Sequence, residues 1–473
     1  MYKKISLKWA QITKLLSRWV QAPAYVYLLV ASLAVICFAL ITPPFQGPDE
    51  EAHYIRTQYI AHGYFVPVDV NSTSASLPQS IEDVLMKTFF ADDLRGKTAE
   101  TYDLYRTKAA INIPLNEELQ YKPMMITYSP LAYLPAVPGV FIANQLNLSP
   151  LISMYIARLS LGLVSVFLVF MAIKFIPHKK YLFAVVGLIP MLLFQQAMVT
   201  VDGVSYSLLA LFIAYVLYLR SIEVVNKKQW IILGLICVGI IFVKPPIYLF
   251  LPLILMAIKK RTDFKWVAII TGVCAAALLS WSFISAAHGS DGEVAPLPNG
   301  ANQQLQLANL VEHPSRIFRV VWNSYMTPYG DDEVRGIIGL FGAADTAYPL
   351  WMFSMYVVLL GILCVLNFDQ KRTKNIDKRW KILVVILCAG YFAAVNLALY
   401  LGYSPLNFDI IYGVQGRYFL PILIVGGAVL FTGGLTILRK DEFKVKIWIV
   451  TSVITLVLLA LFITFQRYFL YTP

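Results

Sequence analysis

Residues 25–56 read YVYLLVASLAVICFALITPPFQGPDEEAHYIR, and two kinds of sequence meet inside them. The stretch 25–42 is apolar and uncharged, the pattern of a helix that crosses a bilayer. Pro43-Pro44 and Gly47-Pro48 then stop the helix at the membrane face, because proline removes a backbone donor and clashes with the preceding turn. Asp49, Glu50 and Glu51 follow at once, with His53 and Arg56 at helical spacing behind them. Position 53 is i+4 from Asp49 and i+3 from Glu50, so an acid and the imidazole share one face of a new helix. The chain therefore leaves a membrane and starts a charged helix on its surface.

The apolar pattern recurs over 151–174, 181–199, 203–219, 265–287, 349–367, 380–402, 417–438 and 446–468, with a further pair, 230–243 and 246–258, broken by Lys244-Pro245-Pro246. Over 473 residues, 58% are apolar and only 14% charged, about half the charge of a soluble domain. That balance excludes a disordered, collagenous, coiled-coil or soluble chain. The net charge of +12 raises the question of nucleic acid, but in a membrane chain placement matters more than the sum. Basic clusters fall between alternate runs, from Lys3–Arg18 to Arg439–Lys446. Assigning them to the cytoplasm puts 25 basic and 6 acidic residues inside, leaving 14 basic and 21 acidic outside. This asymmetry predicts an all-α polytopic membrane protein with about eleven crossings, its N-terminus cytoplasmic and its C-terminus outside.

The segment 127–146, TYSPLAYLPAVPGVFIANQL, is apolar enough to cross, yet one crossing there would invert every later loop. Pro130, Pro135 and Pro138 discourage a straight helix, so a re-entrant or interfacial helix is expected instead. The whole chain, 1–473, then forms a single membrane domain with two large external loops, 43–150 and 288–348. Residues 290–306 are the most linker-like stretch. The basic N-terminus and first apolar run read as an uncleaved signal anchor, since the run is too long for a signal peptide and lacks a small-residue cleavage site. Cys37, Cys237, Cys274, Cys364 and Cys388 all lie in spans, offer no disulfide framework or metal spacing, and read as apolar fillers.

Candidate site residues follow from charge at the membrane boundary, where it is costly unless used. Asp49 and Glu50 are candidate catalytic bases. The plain alternative is that Asp49 caps the helix and its neighbours complement the helix dipole. Asp202 is the sole acid of QQAMVTVDGVSYS, and an Asp-Gly turn is its structural alternative. Lys244, at the outer end of two short helices, can hold an anion or merely snorkel. Arg417 in GVQGRYFLP follows Gly413 and Gly416, a flexible approach suited to close ligand contact. Arg158, two turns into its span, is expected to pair with an acid. With Arg56 and His53, these cations and acids suit a transferase acting on a lipid phosphate, in which Arg and Lys bind phosphate and a carboxylate deprotonates a hydroxyl. No acid lies mid-span, which argues against a proton-coupled transporter. No Walker loop, GxGxxG, HExxH or GxSxG is present.

GPDEEAH after the first span, TYSPLAYLP, VKPP, IIGLFGAADTAYPLW (337–351) and QGRYFLP together resemble the bacterial membrane family DUF2142 over residues about 40–425. That family is similar in layout to the GT-C glycosyltransferases, which take sugars from polyprenyl-phosphate carriers on the outer leaflet. The resemblance implies a GT-C-like fold and an inverting glycosyltransferase of the bacterial cell membrane, with its active site on the outer face. Asp49 would be the base, with Glu50 the alternative. Asp202 would match the second acidic loop, and Arg417 the arginine that handles donor phosphate. His53, Arg56 and Lys244 complete the expected binding set. The implied partners are a polyprenyl-phosphate-linked sugar donor, a cell-wall glycopolymer, lipid or protein acceptor, and the bilayer; no nucleic acid is expected. No cofactor is expected: a divalent metal is admissible beside these acids but not required. A lipid-linked sugar flippase, or a non-catalytic envelope-assembly protein, is the alternative reading. The flippase is the less favoured, because transporters are often built from repeats with matching broken helices, and VKPP has no counterpart in the second half.

Overall fold

A computed structural model describes residues 20–66, 74–90, 101–116, 119–123, 128–289, 300–326, 329–342, 344–368, 375–432, 435–436 and 439–470. The basic run Lys3–Arg18, the basic residues 371, 372 and 374, and the first ten residues of the expected linker lie outside these.

Helix α1 (Pro23–Ile41) opens with proline at its first position, where the missing N–H costs nothing, and ends at Thr42 before Pro43-Pro44. The first loop contains α2 (Glu50–Ala61), β1 (Ser74–Pro78), α3 (Gln79–Leu85), α4 (Leu104–Ile111), β2 (Leu119–Pro123), a 3-10 turn (Pro130–Tyr133) and α5 (Val137–Gln145). α5 has nine residues, about 14 Å of helix, too short to cross a bilayer. α6 (Pro150–Phe175) follows, its Ser149 side chain accepting the Leu151 N–H.

Next come α7 (Lys180–Gly187) and α8 (Pro190–Ala197), bent by 53° at the break before Pro190. α9 (Val201–Ser221) is the most enclosed of the long apolar helices, and α10 (Lys227–Phe242) starts with a capping box between Asn226 and Gln229. A 3-10 segment (Ile247–Ala257), with Pro252 inside it, precedes α11 (Phe264–Gly289). The second loop holds α12 (Gln303–Glu312), α13 (Arg316–Met326), α14 (Tyr329–Gly339) and the short pair β3 (Leu340–Phe341) and β4 (Thr346–Ala347). The chain closes with α15 (Leu350–Val365), β5 (Leu366–Asn367), α16 (Lys378–Gly402), a 3-10 turn (Gly416–Phe419), α17 (Leu420–Val429), β6 (Leu435–Thr436) and α18 (Arg439–Phe469).

The protein is mostly helical and has several apolar helices suited to a membrane. Among the described residues, six are long and apolar enough to cross one, or seven if the bent α7–α8 pair is a single span. The other five of the eleven expected crossings are bent or short: Pro190 bends the α7–α8 pair, Pro245-Pro246 and Pro252 confine α10 and the 3-10 segment, and at α15 and α17 the apolar run is longer than the helix. Beside the helices, three short two-stranded pairings occur among the described residues. The expected linker ends earlier than read: Gln303 already starts α12, capped by Asn302.

Two large apolar cores form among the described residues. One fills the helical bundle. The other lies in the first loop, where Phe45, Tyr54, Tyr133 and Val140 pack on Met154, Ala157 and Leu161 of α6 and Val201 and Val204 of α9. The candidate residues sit where these cores meet.

Candidate functional site

Asp49 and Glu50 part company at the start of α2. Asp49 is the N-cap residue but adopts left-handed backbone (φ 54°, ψ 21°) and makes no side-chain cap bond; its carboxylate is 74% exposed. Glu50 points inward and is fully buried. Its Oε1 accepts from Arg158 Nε (2.7 Å) and the Val199 N–H (2.9 Å), and its Oε2 from Arg158 Nη2 (2.6 Å) and the Gly47 N–H (3.2 Å). Arg158 spends its remaining N–H groups on the carbonyls of Ala39, Thr42 and Pro43, at 2.7–2.9 Å. All five guanidinium donors are used, and the carbonyls left open where α1 ends are closed. Glu50 is thus an anchor, and the acid expected for Arg158 lies 108 residues before it.

Asp202 is not in a hairpin turn. It is the second residue of α9, where the helix dipole favours a carboxylate. Gly203 follows because α9 presses against the end of α8: a Cβ there would come within 2.7 Å of the Gln195 carbonyl and the Gln196 Cα. The Asp202 carboxylate is held between two cations, Lys244 Nζ at 2.6 Å from Oδ1 and Arg417 Nε at 3.3 Å from Oδ2. Lys244 in turn lies over the Tyr418 ring at 4.5 Å, and Arg417 Nη2 comes to 4.0 Å from Asp49 Oδ2.

These groups line one cavity of about 200 Å³. Asp49 and His53 come from α2, Tyr128 from the first loop, Asp202 from α9 and Lys244 from the break after α10. Tyr391, Val395, Ala398 and Leu399 come from α16, and Arg417 and Tyr418 from the last 3-10 turn. His53 Nδ1 is 2.7 Å from the Tyr133 hydroxyl, leaving Nε2 as the ring nitrogen open to a ligand. Burial pushes His53 down to about 4; Asp202 and Asp49 pull against that, and Lys244 and Arg417 add to it. His53 is therefore neutral at pH 7, not the cation that its place among basic residues suggests.

Arg56 lies outside the cavity. It is buried, donates to the Phe65 carbonyl at 2.8 Å, and braces the chain where α2 ends. Gly416 also has a different task from the one read in its sequence. A Cβ there would meet the Glu333 carbonyl at 2.1 Å and Gly336 at 2.4 Å, so it lets the Arg417 turn lie against α14. Five of the seven candidates, Asp49, His53, Asp202, Lys244 and Arg417, share the cavity; Glu50 and Arg56 do not. Tyr128, Tyr133, Tyr391 and Tyr418 escape a reading that follows charge alone, although TYSPLAYLP and QGRYFLP hold three of them. Among the described residues, no group of three or more His, Cys, Asp or Glu is placed to hold a metal.

The chain belongs to the DUF2142 family of predicted membrane proteins, whose model matches residues 32–425. Comparison with curated proteins and with solved structures returns no match.

Proposed function

We propose that this DUF2142 protein is a GT-C-like glycosyltransferase of the bacterial cell membrane, moving a sugar from a polyprenyl-phosphate donor to a cell-envelope acceptor at the outer face. The reading keeps about eleven crossings, with the five short or bent segments as crossings in addition to the six long helices. One observation carries it: an exposed carboxylate, Asp49, stands on the same cavity as the part-buried Lys244 and the buried Arg417, although the three come from segments far apart in sequence.

In this reading the Asp49 carboxylate takes the proton of an acceptor hydroxyl as its oxygen attacks the anomeric carbon from the face opposite the phosphate. The bond from that carbon to the phosphate oxygen breaks, and polyprenyl phosphate leaves with inverted configuration at the sugar. Lys244 and Arg417 turn from Asp202 towards the phosphate and meet its growing negative charge. Asp202 keeps both cations aimed and compensated while the cavity is empty. Neutral His53, fixed through Nδ1 by Tyr133, offers Nε2 to a sugar hydroxyl. Glu50 takes no part in the chemistry, because each of its oxygens already accepts two hydrogen bonds.

The test uses purified protein in lipid vesicles with polyprenyl-phosphate sugars and candidate acceptors. Asp49→Asn is expected to lower release of polyprenyl phosphate by about 10²–10⁴-fold, the usual contribution of a general base, while donor binding survives. Binding without any release by the wild type would sink the transferase and favour the flippase.

A further inference from the structure

Residues 313–326 read HPSRIFRVVWNSYM, and all but the first three form α13. Phe318, Trp322 and Met326 recur every four residues, so they lie in one stripe along the helix. All three are open, at 78%, 65% and 65% exposure. The opposite side is packed: Val320 and Ser324 are buried, and Ser324 Oγ accepts the Ile411 N–H at 2.8 Å. α13 therefore carries an apolar face that the described residues do not cover.

Its depth points to what covers it. The Tyr325 hydroxyl donates to Asn396 Oδ1 at 2.9 Å, and its ring lies 5.3 Å from that of Phe392. Both partners belong to α16, an apolar helix long enough to cross the bilayer, whose basic start is Lys378 to Lys381. Asn396 and Phe392 lie six and ten residues before its far end at Gly402, about 9 and 15 Å along the axis. The helix is about 37 Å long against a hydrocarbon layer of about 30 Å, so those contacts fall at or below the edge of the layer. At that level the outside of a membrane bundle meets lipid, while water is confined to cavities within it. Of the two arginines of α13, Arg316 is spent on Asn309, Asn407 and Asp409, whereas Arg319 shares Asp409 at 3.3 Å but keeps a side chain 61% exposed, at the rim where a phosphate headgroup would lie.

We infer that α13 is an interfacial helix seated in the leaflet on the cavity's side, with Phe318, Trp322 and Met326 among the acyl chains and Arg319 at the headgroups. The inference stands whether or not the protein transfers sugar. It makes this segment of the second external loop part of the membrane-embedded surface beside the site.

The test places a nitroxide at Phe318→Cys, Trp322→Cys or Glu312→Cys in full-length protein in nanodiscs, with the five native cysteines replaced by alanine. Labels at 318 and 322 are expected to be open to oxygen and several-fold more shielded from a water-soluble nickel chelate than the label at 312. Equal nickel access at all three positions overturns the inference, and so does exclusion of both reagents at 318 and 322, which would reveal a protein cover. A second readout leaves the cysteines untouched. Brominated lipid should quench wild-type tryptophan fluorescence more than that of Trp322→Phe, and equal quenching counts against the inference.

Discussion

Asp49 and Glu50 are neighbours in sequence and occupy opposite kinds of site. Glu50 meets an arginine whose five donors are all engaged, in a corner where both side chains are fully buried. Asp49 is exposed and faces an arginine at 4.0 Å across an open cavity. The second cluster is also compensated, since Asp202 holds both Lys244 and Arg417, but it borders empty space and its partners can be exchanged. Charge alone does not separate an anchor from a binding site. What separates them is whether every donor and acceptor is already used.

The comparison is tested most severely at Arg158. Arg158→Met leaves Glu50 buried without its counter-charge and reopens three carbonyls, for an expected loss of about 3–5 kcal/mol in thermal unfolding of the detergent-solubilised protein. Glu50→Met with Arg158→Met should lose clearly less than the two single losses added together. A single-variant loss within about 0.5 kcal/mol, the range of an ordinary surface change, would contradict the anchor role.

A middle-sized effect belongs to the open cluster. Asp202→Asn frees Lys244 and Arg417, at an expected cost of about 1–3 kcal/mol. Here an anion can take the vacant place, so inorganic phosphate or pyrophosphate should return part of the lost stability to this variant and none to Arg158→Met. Equal responses in the two variants would erase the distinction between the clusters.

The smallest effect is a pH dependence. His53 titrates near 4 when folded and near 6.5 when unfolded, so the unfolded chain takes up the proton first as the pH falls. Stability should decline from about pH 6.5 towards 4, by about 1 kcal/mol at pH 5.5, with no further contribution below the folded value. His53→Asn should lack that part of the slope, and identical pH profiles for variant and wild type would mean that the imidazole is not buried and neutral.

The sequence displays helix-rich membrane character and the positions of most charged site residues, because apolar runs and charges at their ends are local signals. GPDEEAH points to the start of α2, but the choice between its acids depends on Arg158 and Val199, more than a hundred residues away. Asp202-Gly203 has the chemistry of a turn, and packing against α8 makes it a helix start instead. Gly416 resembles a ligand approach until α14 is seen lying against it. The lengths of α10, α15 and α17 are equally hidden, since apolar composition persists after the helical hydrogen bonds have stopped. The tyrosines of the cavity carry no charge and are numerous in this chain, so nothing local marks them out.

Arg158 also acts as a ruler. One planar guanidinium grips the carbonyls of residues 39, 42 and 43 and the carboxylate of residue 50 together, which fixes the contour of chain between the end of α1 and the start of α2. A residue inserted or deleted between Pro43 and Asp49 would rotate α2 by about 100° relative to that grip. Glu51 or Asp49 would then be carried towards the arginine, and the exposed acid would change identity. Within this segment, substitution should be far easier to accommodate than a change of length.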